Sequence, residues 1–110
     1  MEDSAKPSPM EIMRNTVPEG AKIYLEHKAA VMENPELQAV PTKYKLLVGI
    51  GVAAALQSNT CTVMWTKLAR QAGATQAEIA EAILVSRLMK MATVNDTAAD
   101  ALAWLDTQGE

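Results

Sequence analysis

Apolar residues recur along the chain at the spacing of amphipathic helices. From Cys61 they fall at i, i+3, i+4, i+7, i+8 and i+11 within residues 59–72, which places them in one stripe of a helix. Residues 46–56 are apolar on every side, so they predict a buried, central helix. The glycines of this segment, Gly49 and Gly51, each lower helix stability by roughly 1 kcal/mol, which favours a role in letting a neighbouring helix approach closely.

Start and stop signals divide the chain into about six helices. Ser8 and Glu11 form a capping box around Pro9, and Thr75 forms a second one with Glu78. The other predicted boundaries are the interruption at Pro18 and Gly20, the stop at Asn34-Pro35, the cap Thr42, the polar break at residues 57–60, the left-handed C-cap Gly73 and the helix start at residues 95–97.

These elements predict an all-α fold. A chain of 110 residues is long enough to bury one core but not two. We therefore expect one helical domain over residues 9–106, with a flexible tail at residues 1–8 and a fraying tail at residues 107–110. The apolar fraction of 49%, with no Phe, suits close helix packing better than an aromatic-rich sheet.

Charge and composition exclude several classes of partner. Thirteen acidic and ten basic residues give a formal net charge of -3, and the basic residues are scattered, so nucleic acid is not an expected partner. The longest nearly unbroken apolar run, residues 46–56, is about half of the roughly 20 residues that cross a bilayer, so no membrane partner is expected. Residues 1–9 are acidic and broken by proline, unlike a secretory signal, which favours a cytoplasmic protein.

The chain offers few metal ligands. Cys61 is its only cysteine and His27 its only histidine, so one chain can form neither an internal disulfide nor a Cys/His zinc site. We therefore expect no metal and no cofactor. His27 lies between Glu26 and Lys28 and is interpreted as a surface residue with a partly buried ring.

Residues 40–82 resemble the carboxymuconolactone decarboxylase and alkylhydroperoxidase D-like family. The resemblance rests on residues 43–48, Cys61, Ala69 and the segment that runs from the turn Gly73-Ala74-Thr75 to Ala82, which follow the family's order and spacing. It implies an alkylhydroperoxidase D-like helical bundle. It also implies a homo-oligomer, since members of the family commonly form trimers or hexamers.

The resemblance places the family's Cys-x-x-Cys-x-x-x-His motif on this chain. Cys61 takes the position of the second cysteine, Ser58 that of the first and Trp65 that of the histidine. Leu46 stands where peroxidase members carry a relay glutamate, and Thr60 stands where some members carry a further histidine. Because Ser58 cannot resolve a sulfenic acid, a two-cysteine peroxidase mechanism is excluded within one chain.

Cys61 is the candidate catalytic residue, with two interpretations. It is either a reactive thiol near a helix N-terminus or a small hydrophobe buried in the apolar stripe, and the stripe favours burial. Trp65 either packs in the core, which is favoured, or forms one wall of a ligand pocket. Ser58 and Thr60 are interpreted as cap or turn residues, and the family geometry would turn their hydroxyls toward that pocket.

Arg87 is the remaining candidate for ligand binding. It continues the stripe of Ile79 and Ile83, and a buried arginine needs an anion. Arg87 therefore either binds the carboxylate of a small acidic ligand or lies at a subunit interface, where it forms a salt bridge or buries its stem with the charged end in water. The second interpretation is favoured. Lys43 and Lys45 are interpreted as solvated charges beside the apolar helix.

Three functions follow. The first is a family protein with a degenerate thiol site that binds or acts on a small organic acid or lactone. The second is a one-cysteine peroxidase or redox sensor that uses Cys61. The third is an oligomeric interaction module without catalysis.

Overall fold

The computed structural model describes residues 6–110, and these form six α-helices and no strand. The helices are α1 (Pro9–Thr16), α2 (Pro18–Met32), α3 (Thr42–Ala55), α4 (Asn59–Gln71), α5 (Gln76–Thr97) and α6 (Ala99–Gln108). Contacts divide the chain into two compact units, residues 1–42 and residues 43–110. The predicted all-α architecture is confirmed. α6 continues to Gln108, beyond the boundary at residue 106 that the sequence suggested.

α1 and α2 belong to the first unit. The hydroxyl of Ser8 accepts a hydrogen bond from the Glu11 amide at 3.1 Å, and the Glu11 carboxylate accepts one from the Ser8 amide at 3.0 Å, which confirms the first capping box. Val17 alone separates the two helices, and Pro18 begins α2 at a position where its missing N–H leaves no hydrogen bond unmade. Gly20 therefore lies inside α2 and does not interrupt a helix, contrary to the prediction.

The segment after α2 is tied back to the end of that helix. The carbonyl of Met32 accepts hydrogen bonds from the Gln38 amide group at 3.3 Å and from the Thr42 hydroxyl at 3.5 Å. α3 begins at Thr42 itself, one residue earlier than the predicted cap at this position implies. The sequence could not show that the Thr42 hydroxyl would lie within reach of a carbonyl ten residues earlier.

Only one side of α3 is buried in the second unit. Leu46, Ile50 and Ala53 are buried, and Ile50 is completely inaccessible to solvent. On the other side Val48 is 62% exposed and Leu56 is 74% exposed. The prediction of a fully buried central helix is therefore wrong for a single chain, although every residue of this segment is apolar or glycine.

One of the two glycines of α3, Gly49, has the role that the sequence suggested. The indole ring of Trp65 on α4 lies directly over Gly49, where an added Cβ would be 2.6 Å from Cζ3 of the ring. Gly51 faces α5, and its carbonyl accepts a hydrogen bond from the Ser86 hydroxyl at 2.7 Å. Gly49 therefore permits the close approach of α4. A Cβ at Gly51 would meet Ala82 and Ser86 atoms at 3.7 Å, an ordinary contact distance, so α5 does not require a glycine there.

α5 is longer than predicted and α6 starts later. Residues 95–97 do not start a new helix, because α5 continues through Thr97 and the break falls at Ala98. None of these three residues is glycine or proline, so their modest helix propensities do not stop the ladder of backbone hydrogen bonds. The predicted capping box of Thr75 and Glu78 at the start of α5 is confirmed.

Candidate functional site

The turn between α3 and α4 is built from two capping structures that share Ser58. The amide of Ser58 donates to the Ala53 carbonyl at 2.9 Å and the Gln57 amide donates to the Ala54 carbonyl at 3.1 Å, which together make a Schellman motif at the end of α3. Gln57 takes the left-handed position of that motif, with φ of 64°. The Ser58 hydroxyl then caps α4 by accepting a hydrogen bond from the Cys61 amide at 3.3 Å.

Cys61 lies in the first turn of α4 and is exposed. The favoured interpretation, burial in the apolar stripe, is therefore contradicted. The stripe becomes buried only further along the helix, where Ala69 is completely covered, while Met64 is still 42% exposed. Thr60, next to Cys61 in the same turn, is exposed as well. A thiol that the sequence assigned to the core is accessible to solvent.

Trp65 is half-buried, and its ring contacts Gly49 of α3. Contact with Gly49 accounts for the position of the ring without a ligand. The indole therefore forms part of the packing between α3 and α4 in the second unit.

Arg87 lies on α5 and is exposed, so its stripe does not stay buried along the helix. Ile79 is 7% exposed, and Ile83 is already 39% exposed. The argument that a buried arginine needs an anion therefore does not hold. Arg87 instead lines an open depression of about 420 Å³, together with Gln57 and Lys90, whose apolar wall includes Ala54, Ile83, Met91 and Val94.

A smaller depression of about 250 Å³ adjoins it. Ser58 and Thr62 line this second depression, and it shares Ala54 and Gln57 with the first. Ser58 and Arg87 thus lie on either side of Gln57, in neighbouring depressions. Thr60, Cys61 and Trp65 line neither of the two.

Lys43 and Glu78 form an ion pair between the start of α3 and the start of α5. Their Nζ and Oε2 atoms are 3.3 Å apart, so Lys43 is not the solvated charge that the sequence suggested. A hydrogen bond from the Thr75 amide and then the bond from Lys43 lower the pKa of Glu78 below its ordinary value. The hydrogen bond to Glu78 raises the pKa of Lys43 despite some desolvation. Glu78 therefore joins the cap of α5 to α3.

Comparison with known proteins identifies the family. The model of the carboxymuconolactone decarboxylase family matches residues 18–107, which is most of the chain. The chain belongs to this family. The resemblance noted from residues 40–82 thus extends over α2 to α6, and the family resemblance is confirmed.

A solved structure has a similar fold. A protein of Methanobacterium thermoautotrophicum, determined by crystallography in a structural genomics programme, is 26% identical and superposes with a TM-score of 0.73 over 80% of this chain and 92% of that chain. None of the curated proteins compared with the chain matches it. The family thus rests on the match to residues 18–107, and the superposition shows that this all-α fold occurs in a solved structure.

The sequence did not predict two residues that line the depression beside Arg87. Gln57 belongs to the predicted polar break at residues 57–60, and no residue pattern there indicates its left-handed conformation. Lys90 follows Arg87 by three positions, which places both cations on neighbouring parts of α5. That i, i+3 spacing was available from the sequence.

A third depression, an almost wholly apolar groove, runs between α3 and α5. It measures about 440 Å³ and is lined by uncharged residues, among them Leu47, Val48, Val52, Val85 and Met89. Val48, Val52, Val85 and Met89 are each more than half exposed. The groove leaves a continuous apolar face of the second unit in contact with solvent.

Residues 6–110 contain neither a cluster of metal ligands nor a membrane-spanning helix. No group of three or more histidine, cysteine, aspartate or glutamate side chains in that range is placed to hold a metal ion. Across the same part of the chain, no helix has the length and apolar character needed to cross a bilayer.

Proposed function

We propose that this carboxymuconolactone decarboxylase family protein binds or acts on a small organic acid or lactone, and that the ligand occupies the depression lined by Arg87, Lys90 and Gln57. The observation that carries the proposal is the juxtaposition of two cationic side chains with an apolar wall. A small organic acid has the matching division into a charged end and an apolar body.

The cations of this depression are available to a ligand. Within the described residues, neither Arg87 nor Lys90 forms an ion pair with a carboxylate of the chain. Arginine binds carboxylates through two parallel hydrogen bonds, whereas lysine acts as a single compact charge. Ala54, Ile83 and Met91 offer the ligand's carbon skeleton a surface to cover.

Titration with pentanoate, followed by heteronuclear NMR, tests this proposal. We expect pentanoate to shift the resonances of Arg87, Lys90 and the Gln57 side chain. Arg87→Gln should weaken binding by roughly three- to ten-fold, a modest effect because the guanidinium is exposed and solvent screens its charge. Lys67→Gln removes one positive charge from the exposed surface of α4 and serves as the control. Equal weakening in both variants, or no binding at all, would contradict the proposal.

We propose further that the thiol site is degenerate. Ser58 stands where the family has its first cysteine, and its hydroxyl accepts the capping hydrogen bond from the Cys61 amide. Trp65 and Leu46 stand at the positions of the family's histidine and relay glutamate. Neither side chain can accept or release a proton near neutral pH. We therefore expect no peroxidase turnover through an internal disulfide.

The exposure of Cys61 favours a second candidate function, one-cysteine peroxide reduction or sensing. In the first step the thiolate attacks one oxygen of a hydroperoxide, the O–O bond breaks, and sulfenic acid and an alcohol form once the alkoxide takes up a proton. An external thiol then displaces water to form a mixed disulfide. A second thiol releases Cys61 and becomes oxidised to the disulfide with the first.

Mass spectrometry after mild peroxide treatment tests this second function. We expect sulfenic acid on Cys61 in the native protein, trapped with dimedone, and no trapped product in Cys61→Ser. The idea fails if Cys61 of the native protein stays unmodified under conditions in which the denatured chain reacts. Reaction of native and denatured chains at the same rate would also contradict a tuned site, because any exposed thiol would then behave alike.

We also propose that the protein is a homo-oligomer, a trimer or a hexamer. The support is the uncharged groove between α3 and α5, since a stable soluble monomer rarely leaves such a face in water. Light scattering should give three or six times the chain mass of 11.8 kDa. Val52→Lys places a charge in the groove and should lower that mass, whereas Lys67→Gln should leave it unchanged. A monomer in the unsubstituted protein would contradict the proposal.

A further inference from the structure

We infer that Gln57 determines ligand specificity in the Arg87 depression. It selects carboxylates that carry an additional oxygen outside the carboxylate group, as in oxo or hydroxy acids. This inference rests on the proposed function of that depression. It starts from the conformation of Gln57, which has φ of 64° and is the one residue other than glycine with positive φ in the described part of the chain.

The chain contains a second turn with the same hydrogen bonds, which shows what this position normally requires. At the end of α4 the amide of Ala74 donates to the Ala69 carbonyl at 2.9 Å, and the Gly73 amide donates to the Arg70 carbonyl at 3.1 Å. The left-handed residue there is Gly73, with φ of 97°. Glycine reaches this conformation without a steric penalty, whereas a residue with a Cβ is strained. Gln57 therefore occupies a position at which glycine would be more stable.

The hydrogen bonds of the turn offset part of that strain, but they are made by backbone groups that any residue would supply. The side chain of Gln57 itself is exposed, so it adds no buried contact to the turn. It does line both depressions beside the turn, including the one with Arg87 and Lys90. Strained conformations of this kind concentrate at functional sites, where the side chain is needed for something other than folding.

The chemistry of the depression then defines the ligand class. Arg87 and Lys90 can only donate hydrogen bonds, which suits a carboxylate. The Gln57 amide both donates and accepts, so it can bind a ketone as donor or a hydroxyl as either partner. A plain alkanoate satisfies the cations alone. An oxo or hydroxy acid satisfies Gln57 as well.

Comparing 4-oxopentanoate with pentanoate isolates the contribution of the ketone oxygen to binding, because the two acids share chain length and charge. We expect the unsubstituted protein to bind 4-oxopentanoate roughly two- to ten-fold more tightly, the effect of one neutral hydrogen bond. Gln57→Gly and Gln57→Met should both bring this ratio close to one. Met keeps the length and the strain of the side chain, so only Gln57→Gly should also raise the melting temperature.

The outcomes separate this inference from the function on which it rests. If pentanoate binds and depends on Arg87, but the ratio is one in the unsubstituted protein or is unchanged in both Gln57 variants, the inference is wrong and the proposed function stands. A ratio that falls in Gln57→Gly but not in Gln57→Met assigns the effect to the backbone and also overturns the inference. If neither acid binds, both proposals fail.

Discussion

Substitution of Gly49 by alanine tests the close approach of α4 to α3. The added Cβ would lie 2.6 Å from Cζ3 and 3.2 Å from Cδ2 of the Trp65 ring, well inside the normal separation of about 3.5–4.0 Å between carbon atoms. An indole cannot bend away as a flexible side chain can. The clash is relieved only if the ring rotates or the two helices separate, and both changes disturb the packing around Ile50.

The magnitude follows from two opposing terms. Overpacking of this kind costs about 1–3 kcal/mol, while alanine gains about 1 kcal/mol over glycine in a helix interior. Gly51→Ala supplies the matched control, since its Cβ would meet Ala82 and Ser86 atoms at 3.7 Å, an ordinary contact distance. The helix term is common to both variants. Gly49→Ala should therefore be about 1–3 kcal/mol less stable than Gly51→Ala.

Urea unfolding followed by far-UV circular dichroism measures this difference. All variants should be compared at one protein concentration, because self-association would make the apparent stability depend on concentration. In a Trp65→Leu background the clash partner is removed, so Gly49→Ala should become neutral or stabilising. The reasoning is refuted if Gly49→Ala and Gly51→Ala have equal stabilities, or if Trp65→Leu leaves the cost of Gly49→Ala unchanged.

Four further predictions concern the helix ends of the second unit. Glu78→Gln should lower the free energy of unfolding near pH 7. The difference from the unsubstituted protein should shrink as the pH falls below about 4.5, because the carboxylate of Glu78 has a lowered pKa and its stabilisation is lost only on protonation. A pH series of urea unfolding checks this. The contribution of Lys43, whose pKa is raised, should persist up to its ordinary value of 10.5 and disappear above it in the same series. Thermal unfolding should show that Gly73→Ala costs about 1 kcal/mol while Gln57→Gly gains about 0.5–1 kcal/mol; equal signs would contradict the left-handed geometry at one of the two turns. Thr75→Ala should cost about 1 kcal/mol through loss of the cap on α5, and an unchanged melting temperature would refute that role.

Helix boundaries that depend on local chemistry could be predicted from the sequence. The capping boxes at Ser8 and Thr75 and the left-handed Gly73 follow from hydrogen bonds within four or five residues, so a short window contains all the partners. The hydrogen bond that the Thr42 side chain donates could not be predicted, for the opposite reason. Its hydroxyl binds a carbonyl ten residues away, and no local pattern encodes that distance.

Burial was the quantity that the pattern could not settle. Cys61, Ile83 and Arg87 all continue apolar stripes, yet a stripe specifies a direction around the helix and not the point along it where the neighbouring helix ends. Ile79 and Ala69 lie opposite other helices and are covered. Cys61 and Arg87 lie beyond that cover. Their exposure changed both candidate roles.

The sequence by itself determined that this protein is helical, where most of its helices begin and end, that it resembles the carboxymuconolactone decarboxylase family, and that it has one thiol and no partner thiol for it. Only the tertiary structure decided that the Trp65 ring packs against Gly49, that Lys43 pairs with Glu78, and that Arg87, Lys90 and Gln57 line one depression. The physical reason is range. Caps and periodicity act over one or two helical turns, whereas a site combines side chains from α3 and α5 that are about thirty residues apart and meet only when those helices pack.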